Sequence, residues 1–191
     1  MTKAEFELII QEEKELYLGK SAQKIKQLKK MHHKRYTIWR YLYYFRLCQY
    51  WRDVRQDLNS NQMIRRIAKV KYRYYDRKRN IYGEKAGVEI GIDNKIGRNC
   101  DIWHSGVVIN GNIGDNCIFH GNNIIGNKGK NHEREVPTLG NNVDVGANVS
   151  IIGELQIADD CIIGAGAVIT KSFMKQGSVI VGVPGRVLNK E

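Results

Sequence analysis

The chain has 191 residues, 42% of them hydrophobic, and a formal net charge of +11 at pH 7, which suits one domain or a domain with an appendage. The charge is uneven: residues 1–85 hold 22 Lys+Arg against 9 Asp+Glu, and residues 86–191 hold 9 against 11. No run of about 20 apolar residues is present to span a bilayer, and the charged start MTKAEFELIIQEEKE lacks the plan of a secretory signal, so a cytoplasmic protein is expected.

Residues 1–30 read as helical, with acids early (Glu5, Glu7, Glu12, Glu13, Glu15) and lysines late (Lys24, Lys26, Lys29, Lys30), an order that suits the helix dipole. A second helix is expected over 34–58. There Tyr36, Trp39, Tyr43, Leu47, Tyr50, Val54 and Leu58 recur at three- and four-residue spacing and form one stripe. Asn59, Ser60 and Asn61 break it, Asn61 being placed to cap a third helix over about 62–79 with Ile64, Ile67, Ala68 and Tyr75 on it. Together these elements make residues 1–85 a basic, aromatic-rich α-helical region.

Beyond Tyr82 and Gly83 a six-residue beat takes over. An aliphatic residue returns at Ile90, Ile96, Ile102 and Val108, then in a new phase at Ile113, Phe119 and Ile125, and in a third phase at Leu139, Val145, Ile151, Ile157, Ile163 and Ile169. Sandwich strands turn every 8–12 residues with a wandering phase, whereas a fixed short period marks a solenoid whose repeats bury their apolar faces only by stacking. Residues 86–191 are therefore expected to be a parallel β-helix of hexapeptide repeats, three strands to a triangular coil. Cys100, Cys117 and Cys161 sit four after a beat, inside the coil, as free thiols acting as small hydrophobes. Their spacing matches no zinc or redox motif, so no metal site is expected, and a reducing compartment fits them. One interruption stands out: 14 residues separate Ile125 from Leu139, and the polar segment NKGKNHEREVP within 127–138 reads as an excursion loop hung from a rigid scaffold.

The segment IWHSGVVING, the loop ending at Pro137-Thr138-Leu139-Gly140, the run IGAGAVITK and the ending GVPGRV make Val88 to Leu188 resemble the hexapeptide-repeat acyltransferases, and within them the serine acetyltransferase-like branch that includes capsule and exopolysaccharide acetyltransferases. The resemblance implies a left-handed β-helix, a homotrimer, acetyl-CoA as donor and active sites between neighbouring subunits. It also implies a catalytic histidine at His104, with Glu89 where serine acetyltransferases carry an aspartate. Ala147 and Ala165 would line the groove for the donor's pantetheine arm, with Thr170 and Lys171 near its nucleotide end and Arg186 reaching phosphate.

The chemistry agrees with those positions. Acetyl transfer from a thioester to a hydroxyl needs a base for the hydroxyl proton and a donor for the oxyanion; imidazole is the usual base, and a carboxylate behind it would orient the ring. His104 stands in the turn Trp103-His104-Ser105-Gly106. Its rivals are His120, which follows Phe119, and His132 in the excursion loop, the latter as a substrate contact; His32 and His33 sit among lysines on a helix. Lys171 and Arg186 suit a polyanionic donor.

The chain also departs from serine acetyltransferases, which carry an aspartate just before the catalytic histidine and an Arg-His pair before the loop's proline. Here those places hold Trp103 and Glu135-Val136. The expected acceptor is accordingly a sugar hydroxyl of a cell-surface polysaccharide or its precursor, with Trp103 stacking on the sugar ring and Ser105 and His132 as further substrate contacts. The alternatives are serine as acceptor, and a non-catalytic trimeric scaffold binding membrane or nucleic acid. Residues 20–79 hold 19 Lys+Arg against 3 Asp+Glu among tyrosines and tryptophans. They are expected to pack on other parts of the protein and to offer a peripheral contact with an anionic membrane; no recognised nucleic-acid module stands behind them.

Overall fold

The computed structural model describes residues 1–57 and 59–188, and these divide into two compact units, Met1–Val88 and Glu89 onward. The first unit is helical: α1 (Lys3–Leu18), α2 (Ala22–Lys30), α3 (Lys34–Gln56) and α4 (Gln62–Ala86). The single helical stretch expected over 1–30 is two helices. Gly19, at φ 72°, ends α1, and the Ser21 side chain accepts from the Lys24 amide to start α2. Asn61 caps α4 as expected, its Oδ1 accepting from the Ile64 amide at 2.9 Å.

α3 is the centre of this unit. Of the stripe read from the sequence, Trp39 and Leu47 are buried and Tyr36, Tyr43, Tyr50 and Val54 half-buried, while Ile38, Tyr41, Leu42, Phe45 and Cys48 on the other side are buried as well. The expected end of that helix, Leu58, lies outside the described residues. Glu13 of α1 reaches the Arg46 guanidinium at 2.7 Å with both side chains buried, and Gln49 accepts a further bond from Arg46. α4 runs seven residues past the expected end, through Gly83. That glycine does not stop the helix: a Cβ there would lie 3.0 Å from the Val88 carbonyl and 3.1 Å from the Tyr41 ring, so it permits close approach. The stop is Gly87, whose φ of 64° is the left-handed cap that a side chain resists.

The second unit is a left-handed parallel β-helix. Its strands in chain order are β1 (Val88–Ile90), β2 (Asp101–Ile102), β3 (Val107–Ile109), β4 (Asn112–Ile113), β5 (Ile118–Phe119), β6 (Ile124–Gly126) and β7 (Thr138–Leu139). They continue as β8 (Asp144–Val145), β9 (Ser150–Ile152), β10 (Gln156–Ile157), β11 (Ile162–Ile163), β12 (Val168–Ile169), β13 (Val179–Val181) and β14 (Arg186–Val187). β1, β3, β6, β9 and β12 form the first face, β4, β7 and β10 the second, and β2, β5, β8, β11 and β13 the third, all parallel; β14 folds back antiparallel on β13. Beat residues stack on beat residues, as in the register Ile109, Ile125, Ile151, Ile169 along the first face. The residues four after the beat, Cys100, Cys117 and Cys161 among them, fill the same core.

The beat slips once. Val108 is 40% exposed, while Val107 and Ile109 on either side are buried. The inward residue is Ile109, because the turn after Ile102 takes one residue more than the period and the turn from Ile109 to Ile113 takes two fewer. The corner between the second and third faces is held by a side-chain ladder. Asn99, Asn116, Asn142 and Asp160 all have φ between 55° and 58°, and their amides and acceptors link coil to coil at 2.8–3.4 Å.

Candidate active site

The turns that follow the third face stack into one edge, and two of the expected site segments stand on it. Trp103-His104, His120-Gly121, Gly146-Ala147 and Gly164-Ala165 occupy equivalent places on successive coils. Backbone bonds from Trp103 to Phe119, His120 to Val145, Gly146 to Ile163 and Gly164 to Ile180 hold them there at 2.8–3.0 Å. His104, Ala147 and Ala165 are thus brought to one edge. Gly121 lies against His104: a Cβ there would be 2.6 Å from the His104 Cβ, at a φ of 123°. Only glycine leaves the His104 side chain where it is. Ser105 is half-buried in the same turn, its carbonyl accepting from the Asn122 amide.

His104 is exposed. Glu89 is exposed on the outer surface of β1, alongside Val108 by the bond from the Gly91 amide to the Ile109 carbonyl. Among the described residues no hydrogen bond or ion pair joins Glu89 to His104. His120 holds a carboxylate, its Nε2 lying 2.9 Å from Asp144 Oδ1 on the next coil. Its ring packs on Trp103 with centroids 4.4 Å apart, and the Trp103 indole N–H donates to Asp101 Oδ2 at 2.9 Å. Sequence reading named His120 only as a rival. Its partner lies 24 positions away across the excursion loop, where the six-residue count fails.

The other expected site residues stand elsewhere on the prism. Thr170 and Lys171 are exposed on the turn after β12, at the corner between the first and second faces, with the Lys171 ammonium 5.7 Å from the Phe173 ring centroid. The excursion, residues 127–137, leaves from that same corner after β6. It is tied by its own bonds: His132 Nδ1 to Glu135 Oε2 at 2.7 Å, Asn127 Nδ2 to the Glu133 carbonyl, and the Asn131 amide to Glu133 Oε1. Arg186, exposed on β14, pairs with Val181 at the end of the third face. Among the described residues no group of three or more His, Cys, Asp or Glu side chains is arranged to hold a metal ion.

Residues 137–171 match the model of the bacterial transferase hexapeptide family. Over 105 residues the chain is 38% identical to the serine acetyltransferase of Synechococcus elongatus, a match covering 53% of this chain and 43% of that relative. Over 108 residues it is 39% identical to the serine acetyltransferase of Helicobacter pylori, covering 55% and 63%. The match thus spans about half the length of these curated relatives. In fold, the chain superposes on the crystal structure of the Neisseria gonorrhoeae serine acetyltransferase with a TM-score of 0.69 at 21% identity, covering 99% of this chain and 68% of that one. The Brucella abortus enzyme gives 0.70 at 16%, covering 98% and 70%.

These findings overturn the expected sugar acceptor and the assignment to polysaccharide synthesis, since the relatives matched over the β-helix are serine acetyltransferases. The Trp103 indole expected to stack on a sugar ring packs at a tilt on the His120 ring and donates to Asp101. In repeat, in relatives and in fold, the chain resembles over its β-helix the hexapeptide-repeat transferases, serine acetyltransferases among them.

Proposed function

We propose that this protein is a serine O-acetyltransferase that moves acetyl from acetyl-CoA to the serine hydroxyl. The observation that carries the reading is 38–39% identity to serine acetyltransferases over the part of the chain that holds His104. In the proposed reaction His104 takes the hydroxyl proton as the oxygen attacks the thioester carbonyl. The tetrahedral intermediate places its oxyanion against backbone amides of the edge. Its collapse breaks the C–S bond, and the leaving thiolate takes the proton from the imidazolium. Glu89 is proposed as the carboxylate behind His104, in a geometry that closes with substrate bound. Ser105 and His132 are proposed as serine contacts.

The small residues Gly121, Ala147 and Ala165 support a donor arm lying along this edge, since they let a chain approach the backbone closely. Thr170, Lys171 and Arg186 are proposed for the nucleotide end. Because His104 and Lys171 stand on different edges of one prism, a homotrimer in which two chains complete each site suits this arrangement. The proposed compartment is the cytoplasm, consistent with four free buried cysteines. A peripheral contact with anionic membrane through residues 20–79 is proposed from the exposed stripe on α4. Among the described residues no helix is long and apolar enough to cross a membrane.

The test is thiol release from acetyl-CoA by purified protein with serine. Serine-dependent turnover that falls at least about a thousandfold in His104→Ala is expected. Serine-independent release, or full activity in that variant, would reject the reading.

A further inference from the structure

Four side chains next to His104 form a chain of contacts that the proposed mechanism does not use. Asp101 Oδ2 accepts from the Trp103 indole, the Trp103 ring packs on the His120 ring, and His120 Nε2 meets Asp144 Oδ1 at 2.9 Å. The carboxylate can only accept, so Nε2 must carry the hydrogen. A neutral His120 therefore presents the lone pair of Nδ1, which has no partner among the described residues. The side chains of His120 and Asp144 are 31% and 38% exposed, so they are open to a small ligand.

Their place relative to the base is fixed by the backbone. Trp103 immediately precedes His104, and His120 immediately precedes Gly121, the residue packed on the His104 Cβ. A ligand hydroxyl at His104 would therefore lie beside this wall of two rings backed by two carboxylates. The wall offers acceptor atoms and negative charge, and so suits the positive end of the ligand.

We propose that Asp144 and His120 are specificity-determining residues that recognise the α-ammonium of the acceptor, while Trp103 is the wall that holds its hydroxyl toward His104. The inference rests on the serine acetyltransferase reading, and its test has one arm that does not depend on turnover.

In the kinetic arm, serine is compared with 3-hydroxypropionate, which has the hydroxyl and carboxylate but no amine. The variants are Asp144→Asn, whose Oδ1 still accepts from His120 Nε2, and His120→Phe, which keeps a ring on Trp103 but loses Nδ1. Each should lower the serine-to-3-hydroxypropionate ratio of kcat/KM at least about tenfold, through the KM for serine, with the KM for acetyl-CoA within about twofold. An unchanged ratio, or an equal loss of kcat with both acceptors, overturns the proposal.

In the binding arm, tryptophan emission is followed as serine, ethanolamine or 3-hydroxypropionate is added, with Trp103→Phe identifying the responding ring. The two amines should perturb Trp103 in the parent protein and not in Asp144→Asn. No response, or equal response to the amine-free ligand, overturns the proposal. A Trp103 response to amines without any acetyl transfer would instead reject the transferase reading alone.

Discussion

At the scale of single residues, burial decides the chemistry of the cysteines. Desolvation pushes the Cys48 thiol up to about 12 and the Cys117 thiol up to about 11, and raises that of Cys161. The thiolate is the reactive form, so at pH 8 a disulfide reagent should label none of these three in the folded protein and all of them after denaturation. Labelling of Cys117 at the free-thiol rate would show that the coil opens locally. The same shift fixes a sign for stability. A folded pKa above the ordinary thiol value of 9.0 means a contribution present in full below about pH 9 and lost as pH rises toward 11 and 12. Thermal melts should accordingly fall in midpoint across that window, and fall less steeply in Cys117→Ala, whose cavity cost is the same at every pH. The interior place of Cys117 was legible in the sequence, because burial follows the beat. The His120–Asp144 pair was not, because the 14-residue step from Ile125 to Leu139 breaks the count that would have stacked the two residues. The exchange of Val108 for Ile109 has a like cause: alternation in Val107-Val108-Ile109 allows either phase, and only the length of the turn after Ile102 chooses between them.

At the scale of elements, the helical unit shows how a charge can serve the interior. The acids of α1 read as partners of a helix dipole, and Glu5 stands in its first turn, but Glu13 is 1% exposed against an Arg46 that is 2% exposed. Glu13→Ala would leave that guanidinium buried without its carboxylate, and a loss of about 3–5 kcal/mol is expected in urea unfolding. A loss below about 1 kcal/mol would mean that the unit relaxes to hydrate Arg46. Nothing in the spacing of Glu13 and Arg46 announced this pair, since long-range partners follow from how α1 lies on α3. Much of the basic and aromatic surplus is also used internally: the Arg40 guanidinium stands 4.6 Å from the Tyr44 ring centroid and 5.3 Å from that of Tyr82. What remains outward is α4, where Met63, Ile67, Val70, Tyr74 and Ile81 are exposed at three-, four- and seven-residue spacing among arginines and lysines. If this stripe lies on lipid, binding to vesicles with anionic headgroups should fall steeply between low and physiological salt. It should also weaken in Ile67→Ser/Val70→Ser, and equal binding to neutral vesicles would reject the electrostatic contact.

At the scale of the whole molecule, a solenoid gives rigid edges and little concavity. Each coil touches only its neighbours, so residues that must act together either share an edge or come from separate chains. His104, Ala147 and Ala165 share one, whereas His132 and Lys171 belong to the corner between the first and second faces. The six-residue beat made the prism legible, and it could not show which corners face each other across an interface, because that depends on side chains of two chains at once. A trimer with sites shared between neighbours makes a quantitative expectation. If the proposed sites are shared in this way, His104→Ala and Lys171→Ala each remove one half of every site, and neither protein alone should turn over at normal donor concentration. In trimers reassembled from equal amounts of the two, a site is whole when the chain giving His104 is the Lys171 variant and its neighbour is the His104 variant. Random mixing makes that about one site in four. Recovery of about a quarter of the parent activity, dependent on unfolding and refolding the two proteins together, is therefore expected. No recovery in a mixture shown by mass to contain mixed trimers would mean that His104 and Lys171 act from the same subunit.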